Sequence, residues 1–258
     1  MKARSLAIRM LVPVFSLAIG SSAHAALYDR GGGLIYDDVL NVTWLQNVTL
    51  AAGSIYDDDD PADKLENAPG YDVYSDGLLS YGSAMAWAAT LEYYDAVRDV
   101  VWDDWRLPQV SPVNNTSFNL VRTLDGSSDV GYNITSPDHE LSYMYYVNLG
   151  NIGQYDSLGN IQTGFGLVDD LADPSDESLF ANLKTGLYWY STVRPDNDTN
   201  AWDFRMRYGN TTAGHFGYVR YAWAVHPGDV AAIPEASTWM LLLAGLGLVG
   251  LATRRRMA

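Results

Sequence analysis

Residues 187–206 read Leu187-Tyr188-Trp189-Tyr190-Ser191-Thr192, then Val193-Arg194-Pro195-Asp196-Asn197-Asp198-Thr199-Asn200, then Ala201-Trp202-Asp203-Phe204-Arg205-Met206. Two runs of aromatic and β-branched residues flank a stretch of Pro, Asp and Asn, the pattern of two strands joined by a loop. In the second run Trp202, Phe204 and Met206 alternate with Asp203, Arg205 and Arg207. One face is therefore apolar and the other polar, as in a half-buried antiparallel sheet. Residues 218–225 supply a third strand across a connection at 208–217. Trp189, Trp202 and Trp223 are assigned to the core, since aromatics at alternating strand positions bury large areas.

Toward the amino terminus, Gly31-Gly32-Gly33 is a turn, and strands at 34–36 and 42–45 form a hairpin around Asp37, Asp38 and Asn41. Residues 47–76 are poor in apolar side chains, include Asp57-Asp58-Asp59-Asp60 and read as a long exposed loop. Residues 78–94 are the best helix, with Ala at 84, 86, 88 and 89 and Asp76 as N-cap. A shorter helix is expected near 117–124, preceded by Pro112, and a third at 140–149. Residues 150–180 are Gly- and Asp-rich and loop-like. Strands, then helices, then strands spell an α+β fold with two to three helices on antiparallel sheets.

The charge is segregated. The chain of 258 residues has 16 Lys+Arg, 31 Asp+Glu, no Cys and a net charge of −15. Three basic residues precede residue 10 and three more are Arg254, Arg255 and Arg256, so the body between the ends carries about −20. That surface repels nucleic acid. Zero Cys excludes disulfides, thiolate nucleophiles and Cys-ligated metals.

Each end carries a signal. A basic start leads into apolar residues 10–19 and then Ala23-His24-Ala25, with small residues where signal peptidase requires them. Residues 1–25 therefore read as a signal peptide cut before Ala26. At the other end Pro234-Glu235-Ala236 precedes 239–252, fourteen uncharged residues, and then the Arg triplet. A stable span needs roughly 20 apolar residues, so this one suits transient insertion, with the arginines held on the cytoplasmic side. Gly245, Gly247 and Gly250 match G-x-G-x-x-G by letter, but no acidic residue follows, and they belong to the apolar segment. Residues 231–258 resemble the PEP-CTERM sorting signal, with Ala236 where that motif has its second Pro. The resemblance implies cleavage near Pro234-Glu235 by an exosortase-type peptidase after transient inner-membrane anchoring. Delivery to the cell surface or exopolysaccharide matrix would follow.

Between these ends lies a body, 26–230. The hairpin ending in Thr43-Trp44-Leu45, Ala84-Met85-Ala86-Trp87-Ala88 and Trp105-Arg106-Leu107-Pro108 are followed by Tyr188-Trp189-Tyr190-Ser191-Thr192 and Tyr221-Ala222-Trp223-Ala224-Val225-His226-Pro227-Gly228. In that order they resemble the Lcl C-terminal-type family, a domain of unknown function related to C-type-lectin-like folds. The resemblance implies that the ends of the body meet in one sheet, that long loops vary, and that packing replaces the disulfides of animal lectins.

Catalytic chemistry finds little purchase. There is no G-x-S-x-G, and His139, His215 and His226, read as surface or strand-end residues, form no H-E-x-x-H or other close pair. Asp196, Asp198 and Asn200 alternate on a loop and Asp203 follows on a strand, an oxygen set suited to calcium. The EF-hand pattern fails at Ala201 and Arg207. Tyr218 and Tyr221 are candidates for an exposed ligand-binding face, and Arg106 for a structural ion pair. The chain thus reads as a non-enzymatic exported protein whose lectin-like module binds polysaccharide. An anionic matrix protein without a ligand, or a carboxylate-dependent glycan hydrolase, are the readings left open.

Overall fold

A computed structural model describes residues 27–57, 77–167 and 179–230. In chain order the strands are β1 (Leu27–Asp29), β2 (Leu34–Asp37), β3 (Val42–Leu45), β4 (Leu78–Leu79), β5 (Tyr93–Asp95), β6 (Val100–Trp102) and β7 (Arg122–Thr123). There follow β8 (Val130–Tyr132), β9 (Leu187–Val193), β10 (Asn200–Arg205), β11 (Asn210–His215), β12 (Arg220–Tyr221) and β13 (Val225–Pro227). The helices are α1 (Tyr81–Thr90) and α2 (Glu140–Tyr143), the latter continued by a π-turn, Met144–Asn148. The molecule is therefore mostly β-sheet with two short helices among the described residues, where α+β was expected.

One sheet has the order β1-β2-β3-β13. Gly31, Gly32 and Gly33 all adopt positive φ in the first turn. In the second, the Asp37 carboxylate accepts the Val39 and Leu40 N–H groups, at 3.0 and 2.9 Å. The last strand returns to the first hairpin, with Val225 opposite Trp44 and Pro227 opposite Val42. The ends of the body do share a sheet. The larger sheet runs β4-β12-β9-β10-β11-β8-β7, with β9, β10 and β11 antiparallel at its centre. A register shift between Ala201 and Asp203 bulges β9, turning Ser191 and Thr192 onto the 108–110 segment. There the Ser191 N–H donates to the Pro108 carbonyl and the Thr192 hydroxyl accepts the Val110 N–H. Just before that segment, Arg106 pairs with Val225 of the first sheet.

Trp223 joins the two sheets. It is fully buried, its ring centroid is 4.6 Å from Trp44 and 6.3 Å from Tyr188, and its indole N–H donates to the Leu45 carbonyl at 2.8 Å. Trp189 and Trp202 are also fully buried, and so are Tyr188, Tyr190 and Asp203 beside them, because both faces of these central strands are covered. Packing on this scale takes the place of crosslinks, each large aromatic burying about 150–250 Å².

Several elements differ from expectation for local reasons. The helix spans ten residues rather than 78–94, because Leu78–Leu79 pairs with β12 and Tyr93–Asp95 pairs with β6. Its N-cap is Ser80, whose hydroxyl accepts the Ser83 N–H at 3.3 Å, while Asp76 lies outside the described residues. No helix forms at 117–124. Arg122–Thr123 pairs in parallel with β8 as β7, and the Asn119 side chain takes the Val121 N–H that a helix would direct at residue 117. The expected strand at 218–225 divides into β12 and β13 on different sheets, and the connection at 208–217 contains β11.

Arg106 makes the structural ion pair expected of it. Both guanidinium Nη atoms reach the buried Glu140 carboxylate at 2.7 Å, and the Gln109 N–H donates to the same carboxylate. Glu140→Ala is expected to cost about 3 kcal/mol, since it strands the arginine and a backbone donor in a partly buried place. Urea unfolding of the variant beside wild type reads that difference.

Candidate functional site

The turn between β11 and β12 presents an exposed aromatic ring on a buried, charged support. Asp203 lies on β10 opposite Thr212 and Trp189, and its side chain is buried although alternation suggested a polar outer face. One carboxylate oxygen accepts from Arg220 Nε at 3.2 Å and the other has no hydrogen-bond partner. Burial pushes the Asp203 carboxyl up from its ordinary value despite Arg220. Above the carboxylate, the Arg220 guanidinium is packed between two rings, 5.4 Å from the Trp189 centroid and 5.2 Å from that of Tyr218. Gly214 makes room for this stack, since a Cβ there would fall 2.9 Å from the Asp203 carboxylate and 3.0 Å from the guanidinium.

Tyr218 is 45% exposed, held from behind by Arg220 and edged by His215 at 6.1 Å. The Tyr218 N–H donates to the His215 carbonyl, closing the turn. Tyr221 takes the other side. Adjacent strand residues point to opposite faces, so it leaves Arg220 behind and packs against Tyr188 at 5.2 Å, half-buried. The two tyrosines are not one platform. Arg220 and the Asp203 carboxylate, which fix Tyr218, escaped sequence reasoning. The missed strand β11 hid them.

The residues considered for calcium are dispersed. Asp196 is chelated by Arg194, Nε at 2.6 Å and Nη2 at 3.3 Å, while Asp203 faces Arg220. Asp198 is exposed and Asn200 pairs across to His215 in the ladder. Among the described residues no group of three or more His, Asp or Glu is placed to hold a metal ion.

The histidines occupy three separate places. His215 ends β11 in solvent and His226 lies on β13 between Trp102 and Trp105, 5.3 and 5.5 Å away. Burial lowers the His226 pKa. His139, expected at the surface, is fully buried with Nε2 3.1 Å from Asp129, because that carboxylate needs a partner inside the fold. For Asp129, burial works to raise the pKa. The His139 contact and the Val113 and Asn119 N–H groups outweigh it, and the carboxyl is held below its ordinary value. A depressed carboxyl contributes stability above its unfolded value that is lost as pH falls through the folded one. The stability gap between wild type and Asp129→Asn is therefore expected to be widest at neutral pH and to close below about pH 4 in urea midpoints.

A cleft of about 180 Å³ beside Glu140, lined by Leu40, Gln109, Ser111 and Asp138, is smaller than the roughly 300–1,000 Å³ of ligand pockets.

Residues 232–256 match the PEP-CTERM protein-sorting motif. The match covers Pro234, Glu235, Ala236 and the Arg254, Arg255, Arg256 cluster, and it marks an exported protein sorted through the membrane by an exosortase-type enzyme. No curated protein and no solved structure matches the chain. The sorting residues, together with the cleavage-site residues Ala23, Ala25 and Ala26, lie outside the described residues. Among the described residues no helix is long and apolar enough to cross a membrane.

Proposed function

We propose that this protein is delivered to the cell surface or extracellular matrix, where its body acts as a non-enzymatic, C-type-lectin-like module that binds polysaccharide. Signal peptidase frees Ala26, the segment 239–252 holds the chain in the inner membrane, and the exosortase-type enzyme cuts near Pro234-Glu235. The meeting of β1 and β13 in one sheet and the long excursions between strands support the lectin-like reading of residues 26–230.

The observation that carries the binding role is Tyr218, an exposed ring whose orientation is fixed by Arg220 and the buried Asp203. A ring ordered in advance loses little entropy when a sugar face stacks on it. The carboxylates of Asp196 and Asp203 already serve arginines, so calcium, the cofactor considered for this loop, is not required in this reading. Binding to the producing cell's polysaccharide is expected to survive chelation and to weaken about tenfold in Tyr218→Ala, for the loss of roughly 1.4 kcal/mol. Titration by calorimetry, with and without EDTA, measures both. Equal, non-saturating uptake by wild type and variant would instead favour the anionic matrix protein, whose roughly −20 body provides hydration and cation bridging.

A further inference from the structure

We infer that the β5–β6 hairpin is a bilayer-docking element. While the tail anchors the chain, as the sorting reading above supposes, the hairpin's outer face rests on the headgroup region of the membrane that holds it. Tyr94 and Val101 stand directly opposite one another on that face and are 59% and 55% exposed, with Val97 exposed at the tip. The inner face is fixed. The Asp95 carboxylate accepts from the Val97 N–H at 2.9 Å, Arg98 Nη1 at 2.6 Å and Trp102 Nε1 at 3.2 Å, and the Tyr93 hydroxyl donates to the Gly32 carbonyl at 2.8 Å. The fold thus holds an apolar surface rigidly outward and covers it with nothing of its own among the described residues.

The position of this surface names its occupant. Arg98 Nη2 donates to the Arg30 carbonyl at 2.6 Å, and the Arg30 side chain grips Asp229 at 2.7 and 2.9 Å. Trp102 lies 5.3 Å from His226 on β13. The hairpin therefore adjoins the last residues of the body, which end at the buried Val230. Only residues 231–238 separate Val230 from the apolar segment beginning at Trp239, and eight residues reach at most about 29 Å when fully extended. Tyr and aliphatic side chains held that close to a bilayer suit its interface. Exposed Glu92, Asp99, Asp103 and Asp104 fringe the hairpin and repel anionic headgroups, so the fitting surface is zwitterionic. So small an apolar face holds the body only with the tail's help, and cleavage releases it.

The chain has no cysteine, so Val101→Cys and, as a control, Leu158→Cys each give one labelling site; Leu158 is 85% exposed in a turn beside Leu124. Full-length chain is anchored by its tail in phosphatidylcholine vesicles, each variant carrying an environment-sensitive fluorophore. Emission at 101 is expected to shift to the blue and to be quenched by spin-labelled lipid, as for a group about 5–10 Å into the headgroup boundary, while emission at 158 is unchanged. A blue shift at 101 without lipid quenching places protein over the hairpin and overturns the inference. No change at either site, or equal quenching at both, overturns it too. Chain that does not float with the vesicles refutes the anchoring step itself, and the inference with it.

Discussion

Trp223→Ala is expected to cost about 4 kcal/mol, a large part of the roughly 5–15 kcal/mol that holds a domain folded. The ring is fully buried and touches Trp44 of one sheet, Tyr188 of the other and Phe180, 4.9 Å away. Its removal opens a cavity where the two sheets meet, and the Leu45 carbonyl loses its indole donor. No disulfide restrains the unfolded chain or the sheets. For a body of this size the loss corresponds to a melting temperature lower by about 8–16 °C. Calorimetry with paired denaturant curves checks it. A shift of under about 1 kcal/mol would mean that the sheets do not depend on this contact.

Pro234→Ala combined with Glu235→Ala is expected to convert processed, surface-delivered protein into full-length chain retained in the inner membrane. The sorting enzyme reads the motif, and without the cut, 239–252 and the Arg triplet keep the chain where it was inserted. The fold should not notice. The last described residue, Val230, is buried with its N–H donating to the Thr43 hydroxyl, and the motif begins beyond it. Fractionation and immunoblotting show the retention. Unchanged melting of the detergent-extracted variant separates failed sorting from failed folding.

What could be read from the chain, and what could not, follows from the range of the interactions involved. Alternation in 201–206 exposed β10 because each apolar side chain there meets a packed face. The first hairpin was legible because its Gly and Asp residues set the turns locally. β11 was missed since Gly209, Gly214 and Gly217 read as a connection, whereas Gly214 is there to admit Asp203 and Arg220 from other strands. The Asp203–Arg220 and Asp129–His139 pairs were illegible for the same reason, as partners seventeen and ten positions apart meet only after the sheets form. The helix assigned to 117–124 failed because Arg122 and Thr123 pair with β8 and Asn119 captures the Val121 N–H, an outcome propensity does not contain. Conversely, the sorting motif was legible, since its information lies in composition and order along the chain, the form in which a membrane enzyme meets it.

Surface delivery, as proposed above, depends on a carboxy-terminal stretch that directs the chain and is then removed. Intact-mass spectrometry of protein recovered from the surface of the native cell tests it most directly. The expected mass is that of a chain that begins at Ala26 and ends near Pro234-Glu235, lacking the apolar segment and all three arginines. Surface-recovered protein that still ends at Ala258 would contradict it.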